Sequence, residues 1–352
     1  MPPRGTGSGV PLSQEWAVNH VTPTGHGGPD SPAALDELDL RLLQALELDG
    51  RAPFSRIAQV LGVSDQTVAR RVRRLRSTAD LRITGMVDDS RLGRAGWIVR
   101  LGCGPGRASR LAATLAGRSD THYVDIAAGG TEVICAITPR SRQERDDLLL
   151  ERLQRTPHIT TVSAHCVLHT YYGNSLRWLR KISALDPEQE RALRPPAPSP
   201  GLAAEPYVPD ATDLAMLELL RVDGRAGAAE LQRATGRSEA AVRKRLERLR
   251  ATGLLHIAVE YDHEPLGQSV EALVWLTVAP GGLAEAGRAL AARPEVRFAA
   301  AVTGRTNLAL SVPCRDPQQL YAFLTEQVGA LSGVQAVETV LTLRRVKALT
   351  VS

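Results

Sequence analysis

The sequence predicts an α+β protein that contains two copies of one unit, each a three-helix segment followed by a βαββαβ domain. Three observations lead to this prediction. The chain of 352 residues repeats itself, its helix-like and strand-like segments recur in the same order, and two stretches rich in proline and glycine flank the first copy. A chain of this length fits two to four domains, and a repeat of this kind indicates internal duplication.

The two copies align without a gap. The segment that begins at Asp39 matches the segment that begins at Asp213, and an Asp-Gly-Arg tripeptide occurs at Asp49–Arg51 and again at Asp223–Arg225. Core positions coincide as well, since Val68 aligns with Val242. Turn residues and core residues that match in one register are difficult to obtain from composition alone, so the sequence predicts a duplicated gene product.

The helical segment of each copy predicts a helix-turn-helix. The first helix is amphipathic, and its apolar residues in copy one share a face: Leu38, Leu42, Leu43 and Leu46. Gly50 is expected to end this helix in a left-handed conformation. A short second helix ends at Gly62, and Ser64 is placed to cap a third helix. Two helices joined by a tight turn are the arrangement that inserts the second of them into the DNA major groove.

The third helix carries the charge that predicts binding to duplex DNA. Between Ser64 and Thr78 there are five arginines and one acid. Arginine binds phosphates or the edge of guanine, and the same helix is basic in both copies. The predicted DNA-binding residues of copy one are Ser64, Gln66, Thr67, Arg70, Arg71, Arg73 and Arg74. Those of copy two are Ser238, Arg243, Lys244 and Arg245, where two acids and two alanines predict weaker binding.

The rest of each copy alternates strand and helix in the order β-α-β-β-α-β. This order predicts a ferredoxin-like domain, in which a four-stranded antiparallel sheet has two helices on one face. The other face needs a cover, and apolar alternation at Val334, Ala336 and Leu341 suggests a partner sheet. We therefore expect the two sheets to pair within the chain as an internal pseudo-dimer, with further homo-oligomers as an open alternative.

These interpretations divide the chain into six segments. We expect a disordered tail at 1–34, a winged helix-turn-helix at 35–87 and a ferredoxin-like domain for ligand sensing and dimerisation at 88–185. A proline-rich linker at 186–209 then leads to a second winged helix-turn-helix at 210–261 and a second ferredoxin-like domain at 262–352.

Composition excludes several classes of protein. No run of apolar residues approaches the length of a membrane span, and the N-terminus lacks a secretory pattern. The four cysteines are scattered without a C-x-x-C pair, which predicts free thiols and a cytoplasmic location. His165 and His169 would lie about 13 Å apart along one strand, too far for one ion. We therefore expect no metal and no cofactor.

At this point the sequence resembles the Lrp/AsnC, or feast-famine, family of bacterial transcription regulators. The motifs that carry the resemblance are the amphipathic first helix, Asp-Gly-Arg, the Leu-Gly-Val-Ser turn at Leu61–Ser64, and the spacing of Val68, Arg71 and Leu75. The resemblance extends from Leu35 to Lys347 except for the linker. It implies DNA reading by the winged helix-turn-helix, dimerisation by the ferredoxin-like domain, and an amino acid or another small effector.

The resemblance also implies where an effector would bind. In the family, the loop between the second and third strands, usually Thr-Gly-x-x-Asp, lies beside the effector site. The matching residues of this chain are Gly129, Gly130, Thr131 and Glu132 in copy one, and Thr303, Gly304, Arg305 and Asn307 in copy two. The family aspartate is thus replaced by Glu132 and Asn307. An alternative function for the glycines is a tight hairpin turn.

Two competing functions remain open at this stage. Sirohaem decarboxylases resemble the same two-domain plan, but their His-Asn-Tyr and Trp-Phe-Thr stretches are missing from the corresponding strands of this chain. Because a shared fold does not transfer chemistry, we expect a regulator and not an enzyme. A pure interaction protein is the other alternative, and it would lack salt-dependent affinity for DNA.

Overall fold

The computed structural model describes residues 35–173, 184–195, 207–261 and 267–348. The predicted tail at 1–34 lies outside the described residues. The first unit begins with helices α1 (Glu37–Leu48), α2 (Phe54–Leu61) and α3 (Asp65–Thr78), followed by strand β1 (Arg82–Val87). The second unit repeats this order as α8 (Ala211–Val222), α9 (Ala228–Thr235), α10 (Glu239–Ala251) and β6 (Leu255–Glu260). The predicted three-helix arrangement is thus present twice.

Local sequence signals determine where these helices begin and end. Asp36 and Asp39 form a capping box at the start of α1, and Ser64 accepts a hydrogen bond from the amide of Thr67 at the start of α3. Gly62 ends α2 with a φ of 70°. The leucines predicted to share a face of α1 are buried in the core of the unit, with Leu38 partly buried.

The prediction that Gly50 ends α1 in a left-handed conformation is wrong, because Gly50 does not have a positive φ. A Cβ atom at this position would lie 2.5 Å from Cγ2 of Ile257 in the second unit. Gly224, its counterpart, would bring a Cβ within 2.8–2.9 Å of the backbone of Thr84. Both glycines therefore permit a close approach between the two units, which a side chain would prevent.

The two helix-turn-helix units are joined reciprocally. β1 and β6 form a two-stranded antiparallel sheet. Nη1 of Arg51 donates to the carbonyl of Gly224 at 2.5 Å, and Nη1 of Arg225 donates to the carbonyl of Gly50 at 2.6 Å. The second guanidinium nitrogen of each arginine reaches an alanine carbonyl of the other unit at 2.9 Å. The duplicated Asp-Gly-Arg motif is thus an arginine clamp between units.

The sheet domains have the predicted βαββαβ order. The first contains β2 (Trp97–Cys103), α4 (Ala108–Ala116), β3 (Thr121–Ala127), β4 (Glu132–Ile137), α5 (Arg142–Asp146), a π-helical segment (Asp147–Arg152), α6 (Leu153–Arg155) and β5 (Ile159–Tyr172). The second contains β7 (Val270–Val278), α11 (Leu283–Ala291), β8 (Phe298–Val302), β9 (Leu308–Cys314), α12 (Pro317–Ala322), a π-helical segment (Phe323–Val328) and β10 (Val334–Lys347). The predicted α+β class with two ferredoxin-like domains is confirmed.

The two sheets close into one barrel of eight antiparallel strands. The order around the barrel is β10-β3-β4-β2-β5-β8-β9-β7, and β7 pairs with β10 to close it. The last strand of each domain continues past its own sheet, so β5 pairs with β8 and β10 pairs with β3. The helices pack on the outer face, where alternate residues of β7 and β9 share a hydrophobic core with residues of α11 and α12.

At β10, the partner sheet covers a different face of the strand from the one that the sequence predicted. Ala336 and Leu341 are exposed, the latter by 43%. Val340 instead points into the barrel, where it packs with Ile98, Ile134 and Leu273. A bulge between Val334 and Ala336 changes the alternation at the start of this strand. Sequence periodicity therefore gave the wrong face.

The first part of the predicted linker is a folded helix, α7 (Pro187–Leu193). Asp186 caps it in a capping box with Gln189, and Leu193 is completely buried in the core of the first helical unit. Oε1 of Gln44 accepts hydrogen bonds from the amides of Ala184 and Leu185, both at 2.7 Å. The linker prediction is thus wrong for this segment, which completes the first unit. None of the described helices could cross a membrane.

Candidate nucleic-acid interface

The outward face of α3 presents a set of polar and cationic side chains. Gln66, Arg70, Arg73 and Arg76 are all exposed. None of these three arginines forms an ion pair with a described residue. Ser64 and Thr67 differ, because their hydroxyl groups lie 2.9 Å apart in a hydrogen bond and Ser64 caps the helix. The outward face thus combines available cations with an amide that could contact base edges.

Two arginines predicted to bind DNA are committed to contacts inside the unit. Arg71 forms ion pairs with Asp36 and Asp39, and Arg74 forms an ion pair with Asp39. The side chain of Asp39 is completely buried, so these cations neutralise an otherwise costly charge. Burial raises the pKa of Asp36, but the hydrogen bond and charge of Arg71, together with hydrogen bonds to Asp39, lower it overall. These contacts attach α3 to the start of α1, and the predicted DNA contacts of Arg71 and Arg74 stay a prediction.

The second unit keeps part of this framework. Arg245, the counterpart of Arg71, forms ion pairs with Asp210 at 2.8 Å and with the buried Asp213 at 2.9 Å. The guanidinium of Arg248, the counterpart of Arg74, lies 4.4 Å from the ring centre of Tyr207, whose hydroxyl donates to Asp213. Arg245 thus has the same structural contacts as Arg71, and its predicted contact with DNA stays a prediction.

The outward face of α10 carries less available positive charge. Arg243 forms an ion pair with Glu239 at 2.6 Å, which leaves Lys244 as the exposed cation at the position of Arg70. Glu247 occupies the position of Arg73, and Ala240 occupies that of Gln66. Ser238 caps α10 through the amide of Ala241 at 3.4 Å. The weaker DNA binding expected of this second helix stays a prediction.

The side chains of the first predicted effector loop are used within the fold. Gly129 and Gly130 have φ values of 67° and 84°, as a tight turn between β3 and β4 requires. The hydroxyl of Thr131 donates to the carbonyl of Ala128 at 2.7 Å. Glu132 accepts two hydrogen bonds from Arg100, at 2.6 and 3.2 Å. The carboxylate that replaces the family aspartate is therefore paired with Arg100, which also binds Glu338 at 2.6 Å.

The second predicted loop is likewise satisfied internally. Asn307 accepts from the amide of Val278 at 2.9 Å and donates to its carbonyl at 2.7 Å. The hydroxyl of Thr303 accepts from the amide of Cys166 at 2.8 Å, and the carbonyl of Arg305 accepts from Thr277. Gly304 has a φ of 120° and lies against the ring of His165. Both loops thus form hairpin turns of the barrel, and their predicted part in effector binding stays a prediction.

The strand histidines have structural contacts. Nδ1 of His165 lies 2.7 Å from the carbonyl of Thr303, and its ring centre lies 4.9 Å from that of Trp275. His169 packs edge to face against Tyr171. Within the described ranges, no group of three or more His, Cys, Asp or Glu side chains is arranged to hold a metal ion.

Comparison with known proteins identifies both kinds of domain. The AsnC-type helix-turn-helix domain matches residues 35–76 and 210–250, and the Lrp/AsnC ligand binding domain matches residues 271–351. The HTH-type transcriptional regulator FL11 of Pyrococcus horikoshii is 28% identical over 142 residues, which is 40% of this chain and 93% of that regulator. An uncharacterized HTH-type transcriptional regulator of Pyrococcus furiosus is 30% identical over 121 residues, which is 34% of this chain and 82% of that protein.

A solved structure matches nearly the whole chain. The siroheme decarboxylase NirDL superposes with a TM-score of 0.58 over 90% of this chain and 94% of its own, at 15% identity. At this identity the likeness shows the fold alone. Three findings agree on one assignment. They are the matched domain models, the two helix-turn-helix units, and the 82% of the Pyrococcus furiosus regulator that this chain covers. The chain belongs to the Lrp/AsnC family of helix-turn-helix transcription regulators.

Proposed function

We propose that this protein regulates transcription by binding duplex DNA, chiefly through α3 of the first unit. The observation that carries the proposal is the outward face of α3, where Arg70 and Arg73 are exposed and form no ion pair with a described residue. The helix is capped and attached to α1 by buried ion pairs, so this face is presented on a rigid support. Gln66 lies near the start of the helix, the part that contacts base edges in this motif.

The second unit contributes a weaker contact in this proposal. Lys244 can bind a phosphate, but Glu239 and Glu247 repel it. The DNA sites we expect are imperfect inverted repeats, because the arginine clamp holds two unlike reading helices in one particle. The four cysteines are free thiols, which supports action in a reducing compartment such as the cytoplasm.

The enzyme alternative has less support. A siroheme decarboxylase shares the fold, but the likeness carries no residue-level chemistry. Arg94 and Arg345, which line the barrel interior, are paired with Asp89 and Asp125 at 2.9 Å. Paired arginines offer little net charge for a macrocycle with several carboxylates. We therefore propose a regulator with a ligand-sensing barrel, not an enzyme.

The test is the salt dependence of DNA binding by two matched double variants. Arg70→Ala/Arg73→Ala removes two of the three available cations of α3, and Arg243→Ala/Lys244→Ala removes two cations from α10. On a labelled fragment of the DNA upstream of its own gene, the α3 variant should bind at least about ten-fold more weakly, with a salt slope lower by about 2. The α10 variant should lose at most about three-fold.

Equal losses in both variants would contradict the assignment to α3. Wild-type protein that does not bind duplex DNA at low ionic strength would contradict the function itself, and would favour the pure interaction protein. Circular dichroism of each variant checks that the fold is intact, which is expected because all four side chains are exposed.

A further inference from the structure

A cavity of about 540 Å³ lies inside the barrel, between its two sheets. It opens at the end where β2 and β7 begin, next to the segment that leads from β1 to β2. Both predicted effector loops lie at the opposite end, since they connect the other ends of β3 with β4 and of β8 with β9. Neither loop contributes a lining residue. The cavity is therefore a separate feature from the loops.

The walls of the cavity are largely apolar and come from both sheets. Ile98, Ile134 and Val167 line it from the first sheet, and Leu273, Trp275 and Phe298 line it from the second. Its volume falls within the range of about 300–1000 Å³ that is typical of sites for drug-sized ligands. Such sites combine apolar walls with a few placed polar groups, and this cavity has both.

One polar group in the wall has no partner among the described residues. Trp275 is 1% exposed, and its indole nitrogen makes no hydrogen bond there. The ring itself is held in place, with the guanidinium of Arg100 5.0 Å from its centre and the ring of His165 4.9 Å away. Because this nitrogen exposes almost no surface, Trp275 belongs to the packed wall and does not offer its donor to a bound molecule.

The charged groups around the cavity balance each other. Arg345 donates to Asp125 at 2.9 Å and to Glu271 at 2.6 Å, and Arg297 lies 3.2 Å from Glu271. Burial raises the pKa of Glu271, but Arg345 and Arg297 lower it to about 2, so the carboxylate stays ionised. A charged ligand would find no unpaired charge of opposite sign here to compensate its own. An uncharged ligand needs no such partner.

We propose that the barrel interior is a binding site for an uncharged, largely apolar organic molecule. The segment from Met86 to Asp89 forms part of the wall, so a bound molecule would contact the connection to the first helix-turn-helix as well as the barrel. That consequence for regulation rests on the proposed function, whereas the binding itself does not.

The test uses the neutral fluorescent probe N-phenyl-1-naphthylamine with the full chain. Gly96 lines the cavity, and a Cβ there would have its nearest described neighbour, Val167, at 3.8 Å, so Gly96→Phe should fill the space without disturbing the backbone. Gly104→Phe is the matched control, because no described atom lies within 4 Å of a Cβ at that position, which lies beyond the other end of β2. Wild-type and control proteins should bind the probe at one site, and Gly96→Phe should bind at least ten-fold more weakly.

A second variant makes the result independent of any one substitution. Ala136→Leu also adds volume inside the cavity and should weaken probe binding if Gly96→Phe does not fold. Trp275→Phe should reduce the energy transfer from tryptophan to the probe, because Trp275 lies in the wall. Absence of probe binding to the wild-type chain, or equal binding by all variants, would overturn the proposal. DNA is not needed, so failure of DNA binding leaves this test intact.

Discussion

Helices α3 and α10 occupy the same place in their units and carry different surfaces. Arg71 and Arg245 hold both helices to a buried aspartate, Asp39 or Asp213. On the outward face, in contrast, Arg73 of α3 is replaced by Glu247 in α10. The residues that attach the helix have been kept, while those that would touch DNA have diverged. An arginine on a recognition helix therefore cannot be assigned to DNA without knowing what it contacts inside the unit.

The largest effect should come from the shared framework. Asp39→Ala removes the buried acceptor of Arg71 and Arg74 and one partner of the α1 capping box. We expect the free energy of unfolding to fall by about 3 kcal/mol, measured by guanidinium denaturation, and Asp213→Ala to behave similarly. The exposed Asp65→Ala should change it by less than about 0.5 kcal/mol. If all three variants were alike, the framework would not depend on these buried pairs.

The arginine clamp should be equally important from either side. Arg51→Ala and Arg225→Ala each remove two hydrogen bonds from a guanidinium to carbonyls of the other unit. Each should lower the free energy of unfolding by about 2 kcal/mol, because hydrogen bonds to charged groups are lost. Arg142→Ala, at a mostly exposed side chain, is the control. A clamp in which one arginine is dispensable would contradict the reciprocity of the contact.

Reversing one charge on the outward face of α10 and the matching charge on that of α3 should change DNA affinity in opposite directions. Glu247→Arg should strengthen binding several-fold and raise the salt slope by about 1, and Arg73→Glu should do the reverse. Fluorescence anisotropy at two salt concentrations measures both changes. Glu285→Arg, on the exposed side of α11, makes the same charge change away from the helix-turn-helix. Equal gains from Glu285→Arg and Glu247→Arg would show that only net charge matters.

The smallest effect concerns a carboxyl group at the contact between the units. Burial raises the pKa of Glu47 well above its usual range, although the hydroxyl of Tyr261 donates to it at 2.9 Å and lowers it in part. The folded state thus holds a proton that the unfolded chain releases. The contribution of Glu47 to the free energy of unfolding therefore falls as the pH rises from about 4.5, its pKa in the unfolded chain, through the higher pKa of the folded state.

Glu47→Gln should remove this dependence and keep an acceptor for Tyr261. We expect the variant and the wild type to be equally stable near pH 4, and the variant to be more stable by about 1 kcal/mol at pH 8. Thermal denaturation across this range measures the difference, with the exposed Glu188→Gln as control. A stability difference that does not vary with pH would show that Glu47 is ionised in the folded protein.

Local signals in the sequence were sufficient for most of the fold. The glycine at the end of α2, the serine caps and the βαββαβ order all depend on neighbours in the chain, and the structure confirms them. Helix α7 carried such a signal too, in Asp186-Pro187-Glu188-Gln189, but the proline-rich stretch after it concealed it. Elements encoded by adjacent residues can thus be predicted, provided that each cap is examined separately.

The candidate DNA-binding surface was harder to predict. Whether an arginine of α3 is available to DNA depends on which residues, distant in the sequence, it contacts. Arg70 and Arg71 are adjacent and equally basic, and only the buried Asp39, 32 residues before Arg71, separates a surface role from a structural one. Which strand edges pair, and hence which face of β10 is covered, depends on contacts between the two copies. The cavity has the same origin, since its walls come from both sheets.

The closed barrel affects how other chains can attach to this protein. Each of its eight described strands is paired on both sides within one chain, so the barrel offers no strand edge to another molecule. The relatives match 34–40% of this chain, which is the length of a single copy. A single-copy regulator therefore could not add its own strands to this barrel. Because both copies lie in one chain, the two unlike halves are present at a ratio of one to one.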